Sequence, residues 1–177
     1  MRHPWTAGWA RVCPRCGDEA FGSTNGRRHA CNACGLVYFH NPAAAVCALL
    51  RCEDALALVV RGKEPALGKL DLPGGFVDPD EDLEQALMRE LQEELALVIS
   101  APRYRFSVPN TYRYRDVDYW TVDVMFEIWL PSRVSARPDG LEVTALHWIP
   151  IADVDEEMLA FHSVKTAVAR LKAETRC

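Results

Sequence analysis

Residues 75–97, GFVDPDEDLEQALMRELQEELAL, follow directly on Leu72-Pro73-Gly74 and place Glu90, Glu93 and Glu94 at helical spacing. Asp82 is positioned to cap such a helix and Gln85 completes a capping-box pattern. Leu83, Ala86, Leu87, Leu91 and Leu95 recur at the spacing of an apolar side. The periodicity therefore predicts a helix whose three carboxylates share the opposite, exposed face. Carboxylate oxygens suit a hard cation, and Mg²⁺ characteristically combines a few carboxylates with substrate phosphates, so the pattern points to phosphate chemistry. Spacing alone also fits a solvated face of ordinary i,i+4 ion pairs.

On the N-terminal side, residues 43–61 read AAAVCALLRCEDALALVVR. Two short apolar runs flank the polar Arg51-Cys52-Glu53-Asp54, which predicts two antiparallel strands joined by a turn. Cys47 alternates with core positions and reads as a small buried hydrophobe, whereas Cys52 falls at the turn and Cys177 at the chain end. On the C-terminal side Pro102 stops the helix. RYRFSVPN and TYRYRDVDYWTVDVMFEIWL then read as two further strands, and Leu141–Ile149 as another. VDEEMLAFHSVKTAVARLKA predicts a terminal helix packing through Met158, Phe161, Val164, Val168 and Leu171. Strands mixed with two long helices imply an α/β fold with a helix-covered sheet.

The chain has 177 residues, 49% of them apolar, enough for one moderate core plus a small appendage. Its formal charge of -5 offers no broad attraction for a nucleic-acid backbone or an anionic membrane, so nucleic acid is an unlikely partner on this reading. No apolar run is long enough to span a bilayer, and the opening MRHPWTAGWARVC lacks a signal-peptide core, which leads to the expectation of a cytoplasmic protein. Four of the seven cysteines form C-x2-C-x14-C-x2-C through Cys13, Cys16, Cys31 and Cys34. Four thiolates match tetrahedral Zn²⁺, the glycine after each pair permits a tight knuckle, and so short a segment needs a crosslink. With four sulfur ligands no coordination position stays open, so the zinc is expected to be structural. His29 and His40 lie near enough to be ligands, but four cysteines already suffice.

The helix and its flanks resemble the Nudix hydrolase family, whose box is G-x5-E-x7-R-E-U-x-E-E-x-G-U with U aliphatic. Gly75, Glu81, Arg89, Glu90, Leu91, Glu93, Glu94 and Leu97 match it, and Ala96 stands where the family has glycine, a residue favoured at helix ends for its backbone freedom. The resemblance implies a Nudix-type α/β/α sandwich around a mixed sheet and metal-dependent hydrolysis of a nucleoside diphosphate derivative. It further implies that Glu90, Glu93 and Glu94 bind Mg²⁺ or Mn²⁺, that the Gly75 carbonyl completes the shell, that Arg89 orients a box carboxylate and that Glu81 supports it. Members of the family differ in where the general base resides; Glu90 and Glu94 are candidates here, with Glu142 a more distant one. Arg61 and Lys69 are candidates to face the diphosphate. Phe106 and Tyr112, together with Tyr114, Tyr119 and Trp120, are candidates to stack on a base.

A zinc ribbon over residues 1–40 ahead of a Nudix domain over 41–177 is similar to the arrangement in NADH pyrophosphatases. Those enzymes carry S-Q-P-W-P-F-P after the box, where this chain continues RYRFSVPNTYRYRDVDYW. The expected substrate is a small nucleotide, ADP-ribose or NADH-like. A noncatalytic nucleotide sensor and a hydrolase of RNA caps or 5′ adducts are the alternatives, the latter kept alive by Arg11, Arg15, Arg27 and Arg28. A ribbon can pack on its own domain or on a neighbour's, so a homodimer stays open.

Overall fold

The computed structural model describes residues 12–19, 21–23, 27–115 and 117–174. The chain divides into two compact units, Met1–Pro42 and Ala43–Cys177.

In the first unit, β1 (Phe21–Ser23), β2 (Arg28–Cys31) and β3 (Val37–Phe39) form an antiparallel sheet in that order. Two knuckles repeat one hydrogen-bond pattern. Cys13 N donates to Asp18 O and Gly17 N to Cys13 O, each at 2.9 Å, while Cys31 N donates to Leu36 O at 2.9 Å and Gly35 N to Cys31 O at 3.0 Å. Closing each knuckle takes a positive φ, +77° at Gly17 and +73° at Gly35, which glycine adopts without a Cβ penalty. Among the described residues, packed apolar surface in this unit comes from Phe21, Leu36, Cys13, Cys31 and Cys34, too little to stabilise so short a segment by burial alone.

The second unit is built on one mixed sheet of β4 (Ala43–Cys52), β5 (Ala55–Arg61), β6 (Leu70–Asp71), β7 (Gly74–Phe76), β8 (Arg103–Tyr114), β9 (Val117–Trp129) and β10 (Val143–Pro150). The strand order is β10-β5-β4-β9-β8, with β6 on β5 and β7 on β4. Among the described strands only β4 and β9 pair in parallel, in register from Ala43 opposite Thr121 to Arg51 opposite Trp129. Two helices, α1 (Leu83–Leu95) and α2 (His162–Glu174), cover the sheet. Alternation along the central strands sorts the core between them: Val46, Ala48, Leu50, Val124 and Phe126 pack with Leu87, Leu91 and Leu95 of α1. Leu49, Leu56, Leu58 and Met125 pack with Val164, Val168 and Leu171 of α2. Because both faces are covered, these strands read as nearly continuous apolar runs. The expected α/β/α sandwich around a mixed sheet is the observed fold.

Several boundaries differ from expectation. Arg51 and Cys52 belong to β4, and the turn is Glu53-Asp54 alone. Arg51 stays inside the sheet because its Nη1 donates to Glu127 on β9 at 2.9 Å and its guanidinium lies 4.2 Å from the Trp129 ring centroid. Cys52 is buried at the strand end, and Cys177 lies outside the described residues. β8 runs unbroken through Pro109, which an edge strand tolerates because its missing N–H need not serve a second neighbour. The β8–β9 turn thus falls after Tyr114. The terminal helix begins only at His162, after 3-10 turns at Ile151–Asp153 and Glu156–Met158, leaving Met158 exposed. Asp155 caps the second turn through Glu157 N at 2.9 Å, a local bond that competes with helix extension.

Candidate active site

β4 makes only two pairings with β5, Arg51–Leu56 and Cys52–Ala55, while its other half pairs with β7 at Ala45–Phe76, Val46–Gly75 and Cys47–Gly74. Where β5 leaves β4, the sheet opens into a cavity of about 290 Å³ that Cys47, Val59, Asp71 and Gly74 help to line. Cys47 is half-buried: it packs against the α2-side core, as its reading as a small hydrophobe expects, and also lines the cavity. α1 delivers Glu90 and Glu94 to this space.

The start of α1 is fixed as expected, with Gln85 N donating to Asp82 Oδ1 at 2.7 Å and Asp82 N donating to Gln85 Oε1 at 2.9 Å. Arg89 then ties the helix to the chain before it. Its Nε and Nη2 donate to the two oxygens of Glu81 at 2.7 and 2.9 Å, and Nη2 also reaches the Phe76 carbonyl at 3.0 Å. Nη1 donates to Glu90 Oε1 at 2.8 Å and to Glu93 Oε2 at 3.2 Å. Charge-assisted bidentate contact of this kind sets orientation as well as attraction. Glu81 is held below the usual carboxylate range by its bonds to Arg89, and Arg89 is itself raised by that pairing.

The three glutamates do not share one exposed face. Glu94 is 8% exposed, Glu90 is half-buried, and the Glu93 side chain is 62% exposed outside the cavity lining. Glu90 and Glu94 border the stripe of Leu87 and Leu91, so docking that stripe on the sheet carries them inward, whereas Glu93 turns away. Gly74 N donates to Glu94 Oε2 at 3.0 Å. Burial nevertheless raises Glu94 to about 8, with the charges of Glu90, Asp71 and Glu142 adding to the shift against that bond. Glu90 is raised in the same direction, again chiefly by burial, although Arg89 opposes it. Close approach depends on the paired glycines: a Cβ at Gly75 would lie 2.5 Å from Glu90 Oε1, and one at Gly74 would collide with the Val46 carbonyl.

Of the other sequence candidates, Arg61, Tyr112 and Glu142 line the cavity. Arg61 is already engaged, donating to Asp71 Oδ2 and to the Pro65 carbonyl at 2.7 Å each. Glu142 forms an ion pair with Lys63. Lys69 lies outside the lining, its ammonium held by the Glu157 carbonyl at 2.9 Å. Phe106 also lies outside, packed in the α2 core with the Arg170 guanidinium 4.5 Å from its centroid. Both expectations are corrected: the first side chain finds a backbone acceptor across the loop, and the second faces α2. Tyr114 and Tyr119 line a neighbouring groove that also includes Phe76, Tyr112 and Lys63.

Sequence reading missed two buried carboxylates in the cavity. Asp71 is raised to about 6, mainly by burial and against its Arg61 pairing. Asp123 accepts from Asn110 Nδ2 at 2.9 Å and from Thr121 Oγ1 at 2.5 Å. A visible signal was the alternation of polar Thr121 and Asp123 with apolar Trp120, Val122 and Val124.

In the first unit the ligand atoms of Cys13, Cys16, Cys31 and Cys34 all lie within 4.8 Å of one another. The Cys13–Cys34 and Cys16–Cys31 sulfur separations are both 3.7 Å. That length matches the edge of a tetrahedron with metal–sulfur distances of about 2.3 Å, which supports a structural zinc site. Among the described residues no helix is long and apolar enough to cross a membrane.

The NUDIX domain model matches residues 40–169. The chain is 33% identical over 149 residues to the NAD-capped RNA hydrolase NudC of Deinococcus radiodurans, covering 82% of this chain and 51% of that one. It is 39% identical over 62 residues to the ADP-ribose pyrophosphatase of Methanocaldococcus jannaschii, covering 35% of this chain and 36% of that protein. The chain thus spans about half the length, or less, of these curated relatives. The NUDIX domain of Shewanella oneidensis NrtR, solved with ADP ribose, superposes with a TM-score of 0.62 at 32% identity, over 76% of this chain and 90% of that one. A NUDIX hydrolase from Nitrosomonas europaea superposes with a TM-score of 0.67 at 23% identity, over 94% and 92%. The expectation that nucleic acid is an unlikely partner is overturned by relatives from several bacteria that are NAD-capped RNA hydrolases. Whole-chain charge misled because it averages unlike parts: residues 1–42 hold five arginines and no lysine against only Asp18 and Glu19. With its matched region containing both α1 and the carboxylate-lined cavity, the chain belongs to the NUDIX family.

Proposed function

We propose that this protein hydrolyses the diphosphate linkage of a nucleotide derivative of the ADP-ribose or NADH type, with Mg²⁺ or Mn²⁺ held at Glu90 and Glu94. The observation that carries this reading is the burial of both carboxylates against Gly74-Gly75 in one cavity, where Glu94 is raised to about 8. An oxygen donor set whose charge is that costly to bury fits a hard divalent cation. When bound, the cation supplies charge neutralisation at the diphosphate oxygens and acidifies water. Glu93, outside the lining but bonded to the Arg89 nitrogen that also holds Glu90, supplements the metal site, and Gly75 contributes its carbonyl. Arg89 and Glu81 hold the Glu90 carboxylate in place, and Arg61 with Tyr112 lines the path of the substrate. Glu142, in the same cavity, is the alternative proton acceptor to Glu90 and Glu94. Residues 1–40 form the zinc ribbon and 41–177 the hydrolase domain.

The test is turnover of NADH and ADP-ribose with Mg²⁺ or Mn²⁺ by wild type and Glu94→Gln, with products identified by mass. Metal-dependent cleavage that drops about 100-fold or more in the variant supports the reading, since metal catalysis is worth several kcal/mol. Nucleotide binding without cleavage by wild type would favour a sensor.

A second reading, NAD-capped RNA as substrate, is favoured by the relatives' activity and by the first unit's surface. Arg15, Arg27 and Arg28 are exposed there alongside Tyr38 and Phe39, a combination that suits a nucleic-acid strand through phosphate contact and stacking. Replacing Arg27 and Arg28 by alanine should weaken capped-RNA turnover and flatten its salt dependence while sparing ADP-ribose. Equal losses on both substrates would discount an RNA role for this surface.

A further inference from the structure

The cavity wall supplied by α2 takes no part in the carboxylate chemistry, yet Phe161, Ser163 and Val164 line it. α2 runs for 13 residues from His162, and the residue before it, Phe161, has no side-chain oxygen to cap the first turn. The Phe161 carbonyl accepts the first helical bond, from Lys165 N at 3.0 Å. The amides of His162, Ser163 and Val164 therefore have no intrahelical acceptor. Ser163 is 1% exposed, and its Oγ has no hydrogen-bond partner in the protein. A buried hydroxyl left unsatisfied beside uncapped amides is costly to the fold and is compensated when a ligand supplies the missing acceptor.

We propose that Ser163 and the first turn of α2 form a base-recognition subsite, donating hydrogen bonds to an acceptor on the edge of a planar heterocycle in the substrate. The proposal rests on the nucleotide reading above and adds the group that identifies the base. Three cavity-lining rings suit a flat ligand: Tyr112 lies 5.6 Å from Phe161 and 5.6 Å from Phe76, centroid to centroid. A neutral acceptor fits better than a phosphate. Asp71 and Asp123 line the same cavity with 7% and 5% exposure, so an anion there meets two buried carboxylates. Both cations of the lining are already engaged: Arg61, stacked 4.8 Å from the Phe161 centroid, is paired with Asp71 at 2.7 Å, and Lys63 is paired with Glu142.

The experiment is calorimetric binding of AMP, nicotinamide mononucleotide and ribose 5-phosphate to the full chain and to Ser163→Ala, with thermal unfolding of both proteins without ligand. No turnover is required, so the outcome is read separately from the hydrolysis assay. The expected result is about tenfold weaker binding of at least one mononucleotide, as befits one lost hydrogen bond, with ribose 5-phosphate unaffected. Unliganded Ser163→Ala should melt at or slightly above wild type, because the orphaned hydroxyl is gone. Unchanged affinity for both mononucleotides, or no binding of either by wild type, overturns the proposal. An equal loss with ribose 5-phosphate assigns the hydroxyl to phosphate and overturns it too. A variant that melts several degrees lower also overturns it, since the hydroxyl would then have a structural partner.

Discussion

Of the three glutamates at the end of α1, Glu90 and Glu94, one helical turn apart, are drawn into the cavity while Glu93 stays in water. Glu94 ionises normally near 4.5 and is raised to about 8 in the fold, chiefly by burial. The folded state therefore favours its protonated form: the associated stability is full below about pH 4.5 and is lost as pH rises through about 8. Metal-free protein should melt at progressively lower temperature between these limits. Because a cation must displace that proton, Mg²⁺ should raise the melting temperature more at pH 8.5 than at pH 6. Thermal scans at the two pH values, with Mg²⁺ and with chelator, check this; equal Mg²⁺ shifts would separate Glu94 from metal binding. Gly75 sets the other residue-scale limit, since a Cβ there would stand 2.5 to 2.7 Å from the Glu90 carboxylate. Gly75→Ala should displace Glu90 and reduce turnover by about 10- to 100-fold, one to three kcal/mol, while the fold survives. Comparing kcat with the circular dichroism melt distinguishes this from unfolding.

At the scale of elements, α1 was the most legible part of the chain and its orientation the least. Asp82 and Gln85 declared its start through short-range hydrogen bonds that need no tertiary partner. Its end carries a detectable cost: Ala96 adopts φ +54°, ψ +32°, the left-handed conformation for which the family motif uses glycine. Ala96→Gly should stabilise the protein by about 1 kcal/mol, measurable by urea unfolding, and Asp82→Ala should destabilise it by about the same amount. The turn between β8 and β9 was less legible. Pro109 and Asn110 look like a break, yet an edge strand has room for a missing N–H. α2 was misjudged at its start, where Asp155 diverts the chain into a 3-10 turn before the helix begins.

For the molecule as a whole, the division into two units separates two ways of stabilising a fold. The second unit has an apolar core on each face of its sheet. Among its described residues the first has Phe21, Leu36 and four clustered thiols, so its structure should depend on the metal. Cys13→Ser with Cys34→Ser should abolish the dispersed amide resonances of the β1–β3 sheet while those of Ala43–Cys177 persist; a variant sheet that stays folded would show that zinc is dispensable. The charge divides likewise, with the arginine excess of residues 1–42 hidden within a total of -5.

Elements whose causes are local were legible without the fold: the helix cap, the alternating strands, the cysteine knuckles and the box that marks the family. A cap, a strand period and a C-x2-C pair are each set by neighbours a few residues away. Tertiary structure alone decided which carboxylates are buried and which candidate side chains reach the cavity. Glu90, Glu94, Asp71 and Asp123 meet there because β5 departs from β4 after two pairings and the apolar stripe of α1 docks on the sheet. Lys69 and Phe106 do not, because each finds another partner across the fold. Burial and long-range pairing depend on what the remainder of the chain brings to each side chain, and that is fixed only when the sheet closes.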